Sequence, residues 1–144
     1  MEIGEKLNGN KKVARIILLN ENGEVLLIQR PSDKYGADLW CLVGGKTEEC
    51  EKLIDTVVRE TQEEIGYLLN PTDLQYFGEF SDASVDPSIL WCTHYFYGTV
   101  SNKTEFVLDP NEAQNIKWFS LEELENYDIA FDHRNVIGQF FKEF

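Results

Sequence analysis

Three carboxylates, Glu60, Glu63 and Glu64, stand close together in the stretch VVRETQEEIGY at residues 57–67, just before Gly66. Oxygen-only donors in so short a span suit a hard cation such as magnesium or manganese, and no His or Cys stands in that stretch to favour zinc. The apolar period from about Glu51 onward predicts a helix ending at Gly66, a natural C′ residue. The carbonyl end of a helix carries partial negative charge, so three carboxylates there oppose the local field.

At roughly 100° per residue around this helix, Leu53, Ile54, Val57, Val58, Thr61 and Ile65 form one mostly apolar sector that must face a core. Glu60 and Glu64 fall on its margin and Glu63 farther round the same edge, a disposition that lets all three converge beside a sheet. Arg59 and Lys52 are expected to project outward. No Lys or Arg follows at i+4 from any of the three to pair with it, and a bound cation would offset the crowding.

The elements needed to position this helix are legible on both sides of it. Residues 13–19 and 24–29 are β-branched and aliphatic runs around an Asn-Glu-Asn-Gly turn, which predicts a hairpin. The run LWCLV leads to Gly44 and Gly45, and DLQYFGEF, SILWCTHYFYGTV and NIKWFS read as later strands, with SDASVDP as a loop. Ser120 and Glu123 form a capping-box pattern opening SLEELENY, and Asp132 is the expected cap of a final helix, DHRNVIGQFFKEF. Strands on both sides of a central helix predict an α+β or mixed α/β sandwich, and 144 residues with no linker or repeat predict one domain over residues 1–144.

The formal net charge of −13 disfavours a phosphate backbone or an anionic membrane surface as partner. An anionic substrate would therefore need local neutralisation, which a divalent cation supplies. Cys41, Cys50 and Cys92 show no metal-site or disulfide pattern and read as reduced thiols, and the N-terminus has no apolar leader, so a soluble cytoplasmic protein is expected.

Extended backwards, the window becomes GKTEECEKLIDTVVRETQEEIGY, residues 45–67, and resembles the Nudix box, G-x5-E-x7-R-E-U-x-E-E-x-G-U, with U a bulky apolar residue. Gly45, Glu51, Arg59, Glu60, Glu63, Glu64 and Gly66 stand at the required spacings. The resemblance extends through EVLLIQR, LWCLVGG and WFSLEEL. Val43 replaces a common Pro before the glycines, and Cys50 a common Gly before Glu51.

The resemblance implies a Nudix-type α/β/α sandwich with a mixed sheet and a loop-helix-loop motif that hydrolyses a nucleotide diphosphate linkage with Mg2+ or Mn2+. The substrate it implies is either ADP-ribose-like or a nucleoside triphosphate, oxidised or not; the alternative is a catalytically silent nucleotide-sensing module. It places Glu60 and Glu64 as metal ligands, Glu63 as a further ligand or an aid to the attacking water, and the Gly45 carbonyl as a backbone ligand. It pairs Arg59 with Glu51 to orient the helix, and gives Glu112 the role of further ligand or general base, with Asp109 as the alternative. A homodimer is compatible with the family.

Outside the box, Arg30 could bind a terminal phosphate, Lys46 could touch phosphate, and Asp132 could accept hydrogen bonds from a base or cap its helix. Trp40, Phe80, Tyr95 and Phe131 are candidates for stacking on a base, with core packing as the alternative. His94 reads as structural.

Overall fold

Strand β1, Lys11–Leu19, is the axis of the sheet. The computed structural model describes residues 11–82 and 91–144 of the chain. Along one edge β1 runs parallel to β6, Trp91–Thr99, which pairs antiparallel with β5, Gln75–Asp82. Along the other edge Val13–Ile16 of β1 pair antiparallel with β4, Val43–Lys46, and Leu19 pairs with Val25 at the start of β2, Val25–Gln29. β2 also carries β3, Trp40–Cys41, and β7, Asn115–Phe119, both antiparallel. The sheet is mixed, as expected.

Side chains alternate across a strand, and here each face meets one helix. Ala14, Ile16 and Leu18 pack with Leu26, Ile28 and Val43 under helix α1, Leu53–Ile65, which contributes Val57 and Ile65. Ile17, Val25 and Leu27 face the other way and pack with Val136, Ile137 and Phe140 of helix α2, His133–Glu143. Each fully buried aliphatic side chain contributes roughly 1.5–3 kcal/mol, which locks the two helices to opposite faces. No helix among the described residues is long and apolar enough to cross a membrane.

Local chemistry explains most boundaries. The hairpin turns on Asn20, whose Oδ1 accepts from the N–H groups of Asn22 and Glu24 at 2.9 and 3.0 Å. Helix α1 ends where expected: Gly66 takes the left-handed conformation and its N–H reaches Gln62 O at 3.0 Å. The run LWCLV is two strands rather than one, because the N–H of Leu42 leaves the ladder and donates to His133 Nδ1 at 3.1 Å.

Two expectations are corrected. The capping box forms, with Ser120 N–H to Glu123 Oε1 at 2.9 Å and Glu123 N–H to Ser120 Oγ at 3.1 Å, yet it opens only a short 3₁₀ turn, Glu123–Asn126. Tyr127 then turns extended, and its ring meets Phe119 and Trp40 edge-on, a packing gain that competes with another helical turn. Asp132 stands at the cap position of α2 without making a capping bond; its carboxylate accepts from Asn135 Nδ2 at 3.2 Å. The N-terminal reading at residues 1–10, most of the SDASVDP loop and the start of SILWCTHYFYGTV lie outside the described residues.

Cys50, which stands where the Nudix pattern commonly has Gly, adopts a left-handed φ of 66°. A side chain costs about 1–2 kcal/mol there. Cys50→Gly is therefore expected to raise stability by roughly 0.5–1 kcal/mol after the added chain entropy is subtracted, read from chemical denaturation; a loss of stability would contradict the strain.

Candidate functional site

Glu64 lies on the buried margin of α1, only 7% exposed, and its Oε1 accepts the Gly44 N–H at 3.0 Å. One turn earlier, Glu60 presses against β4 so closely that a Cβ on Gly45 would come within 2.6 Å of its carboxyl carbon. Gly45 is thus required by the approach of the carboxylate. Burial pushes the pKa of Glu64 well above its ordinary value; the neighbouring Glu60 adds to this, while Arg15 and the Gly44 hydrogen bond ease it. Burial likewise raises Glu60, against the pull of Arg59, with Glu63 and Glu112 adding repulsion.

Arg59 does not project outward. Its guanidinium grips Glu51 with Nε to Oε2 at 2.8 Å and Nη2 to Oε1 at 3.0 Å, and also reaches the Lys46 carbonyl, tying α1 to the loop before it. The Glu51 carboxylate further accepts from Glu48 N–H and Thr56 Oγ1. The Arg59 hydrogen bond is the chief reason Glu51 is held down to about 2. The stability this pair adds is therefore present above the ordinary 4.5 and fades as pH falls towards 2.

Arg59 Nη1 also contacts Glu60 at 3.0 Å and Glu63 at 3.3 Å, so the expectation of unpaired carboxylates is corrected: the arginine precedes Glu63 by four residues. Glu63 is half-exposed and turned to that guanidinium. The three box carboxylates do not converge as expected, and among the described residues no three His, Cys, Asp or Glu side chains form a ready cage. Like charges repel, and Arg59 supplies the counter-charge nearest to Glu60 and Glu63.

The end of α1 positions the loop that carries Glu112. The carbonyls of Glu64 and Ile65 accept the N–H groups of Asp109 and Val107 at 3.2 and 2.9 Å, which satisfies orphan groups of the helix terminus. Asp109 then spends its carboxylate on the Asn111 N–H, while its carbonyl accepts the Glu112 and Ala113 N–H groups. That turn presents Glu112 to the cavity. Farther on, Gln114 fastens the loop to the end of β2 through Gln29 and Arg30 carbonyls.

A cavity of about 390 Å³ gathers Gly45, Lys46, Glu60, Glu64, Glu112 and Arg30 from the residues singled out by sequence. Glu51, Arg59, Glu63 and Asp132 lie outside its lining. Of the four stacking candidates only Phe131 lines it; Trp40, Phe80 and Tyr95 pack with other rings in the core on the α2 face. His94 is joined to Tyr76 and faces Glu79, away from the cavity. The lining also includes Arg15, Trp91 and His133, to which sequence reasoning assigned no role in the site. The available signal for Arg15 was one cation inside the otherwise apolar run of residues 13–19. Lys46 Nζ stands 5.1 Å over the Trp91 ring.

Glu60, Glu64 and Glu112 offer oxygen donors only, with Glu64 buried and Glu60 half-buried and the two mutually repelling, which is the chemistry that a hard divalent cation fits.

The NUDIX domain family matches residues 9–140. CTP pyrophosphohydrolase of Escherichia coli (strain K12) is 32% identical over 117 residues, covering 78% of this chain and 78% of that one. The 8-oxo-dGTP diphosphatase of the same strain is 29% identical over 131 residues, 89% of this chain and 94% of its own. The solved NUDIX domain of Shewanella oneidensis NrtR, complexed with ADP ribose, has a TM-score of 0.79 at 24% identity and covers 93% of this chain and 88% of that chain, a likeness of fold.

A folded-state pKa raised above the unfolded value means that ionised Glu64 costs stability, increasingly so as pH rises above 4.5. Glu64→Gln keeps an acceptor for Gly44 and removes the charge. With chelator present, the variant is expected to be more stable than the native protein at pH 8, by about 1 kcal/mol, and the two should converge near pH 4.5. Denaturant melts across pH check this; a variant less stable at every pH would contradict it.

Proposed function

The chain belongs to the Nudix family, and from that premise we propose that it is a metal-dependent pyrophosphohydrolase acting on a small nucleotide. The reading is carried by one observation: Glu64, buried, and Glu60, half-buried against a strand whose Gly45 leaves room for it, share a cavity with Glu112, Lys46 and Arg30. A solvated acidic helix face would have no reason to bury charge at this cost.

Glu60, Glu64 and Glu112, with the Gly45 carbonyl, would hold the Mg2+ or Mn2+ ion. Such an ion neutralises phosphate charge and makes phosphorus more electrophilic. Lys46 and Arg30 orient the phosphates through their donors. Water attacks one phosphorus; its oxygen forms the new P–O bond, the bridging P–O bond breaks, and the leaving phosphate carries the electron pair away. Glu112, which lines the cavity, is placed to take the proton of that water, whereas Glu63 would first have to leave Arg59. Arg59 and Glu51 act by holding α1 against the loop before it.

The relatives named for CTP and 8-oxo-dGTP and the neighbour complexed with ADP ribose, together with the common nucleoside triphosphates, define the substrate panel. Magnesium-dependent release of mononucleotide from at least one of these compounds is expected, and Glu64→Gln should lower kcat/KM at least about 100-fold with the fold retained. Full turnover by that variant would remove Glu64 from the reaction. Binding without turnover of any member would favour the nucleotide-sensing alternative, to which the NrtR neighbour's domain lends its fold.

A further inference from the structure

Arg15 is the most deeply buried cation described, 9% exposed, and the roles above leave it unused. It projects from β1 into the cavity, where one nitrogen, Nη1, donates to the Leu42 carbonyl at 2.8 Å. Among the described residues, Nε and Nη2 have no acceptor and no carboxylate pairs with this guanidinium. Its carbon stands 5.1 Å over the Phe131 ring, which Arg30 also approaches at 5.2 Å. Phe131 is itself held at a φ of 57°, an unusual conformation for a bulky residue.

His133 lines the same cavity and is 1% exposed. Its Nδ1 accepts the Leu42 N–H, so the neutral ring carries its proton on Nε2, which has no acceptor among the described residues. Burial, then Arg15 and Arg30, push this histidine well below its ordinary range and keep it neutral near pH 7. Arg15 and His133 therefore present donor hydrogens to a cavity also walled by Val13, Trp91 and Phe131. Flat apolar walls with a planar fork of donors fit a planar base better than a hydrated phosphate.

We infer that Arg15, assisted by His133, is a specificity-determining residue that reads two adjacent acceptors on the substrate's base, as O6 and N7 of a 6-oxopurine, and so selects against adenine. The inference rests on the proposed nucleotide substrate and narrows it. Adenine would turn its N6 hydrogens towards these donors and leave buried groups unpaired on both sides, whereas an arginine fork matches the O6/N7 pair.

The test is calorimetric binding of IMP and AMP to the whole chain with magnesium present, since these two monophosphates differ only in the purine 6-substituent and the accompanying N1 hydrogen and contain no diphosphate to cleave. The native protein is expected to bind IMP about tenfold more tightly or better. Arg15→Met should erase the preference, and Arg15→Lys should retain overall affinity better than it retains the preference, because a point charge lacks the fork. Equal binding of the two nucleotides, binding of neither at millimolar concentration, or a preference untouched in Arg15→Met would overturn the inference. So would weakened inorganic phosphate binding in Arg15→Met with an unchanged IMP to AMP ratio, which would assign the guanidinium to phosphate. The native IMP to AMP comparison stands even if a variant fails to fold. Preference without hydrolysis of any triphosphate would leave this inference intact and remove only the catalytic reading.

Discussion

The carboxylate of Glu64, buried where α1 meets β4, is the constraint on which the rest of the site depends. A charge taken out of water is costly unless something compensates it. The Gly44 N–H supplies one hydrogen bond, and Arg15 a more distant positive charge. Glu60 on the preceding turn then adds a second negative charge rather than relieving the first. Strand β4 accepts this arrangement because Gly45 puts no side chain against Glu60, while Gly44 passes close over Ala14 and Arg15 of β1. Arg59 and Glu51, on the loop side, hold the helix in register while the carboxylates repel.

The same helix end positions the third carboxylate. Carbonyls of α1 that lack partners within the helix receive N–H groups from the segment leading to Glu112, so completing the helix's hydrogen bonding places that loop. Farther along, Gln114 fixes the loop to β2, beside Arg30. Backbone satisfaction at a helix terminus and the geometry of the cavity are therefore one structural solution.

Much of this was legible in the sequence because it follows local periodicity. The spacing of Leu53, Val57, Thr61 and Ile65 placed the core face of α1, Gly66 its end, and the turn after Leu19 the first hairpin. What escaped depends on contacts between distant segments. Arg59 sits on the outer side of its helix by angle, yet its long side chain reaches back to Glu51 and across to Glu63. Thr61 falls in the core sector as expected, but nothing local shows that its buried hydroxyl has no partner. Strand alternation alone assigns Arg15 to a face without revealing that Leu42, and Phe131 with His133, gather around it from two other parts of the chain. The capping box at Ser120 was read correctly as hydrogen bonding and too generously as helix, since Tyr127 gains more by packing on Phe119.

The central claim is that the buried Glu64 and the half-buried Glu60 together bind a divalent cation. Because burial raises both pKa values, cation binding, which favours the ionised forms, is linked to proton release. The most direct measurement is calorimetric titration of Mg2+ or Mn2+ near pH 6.5 in buffers of different ionisation enthalpy, with native protein and Glu64→Gln. The account predicts that cation binding by the native protein releases protons, and that the variant binds at least about tenfold more weakly with less proton release. Equal affinity in the two proteins, with no proton release in either, would contradict it.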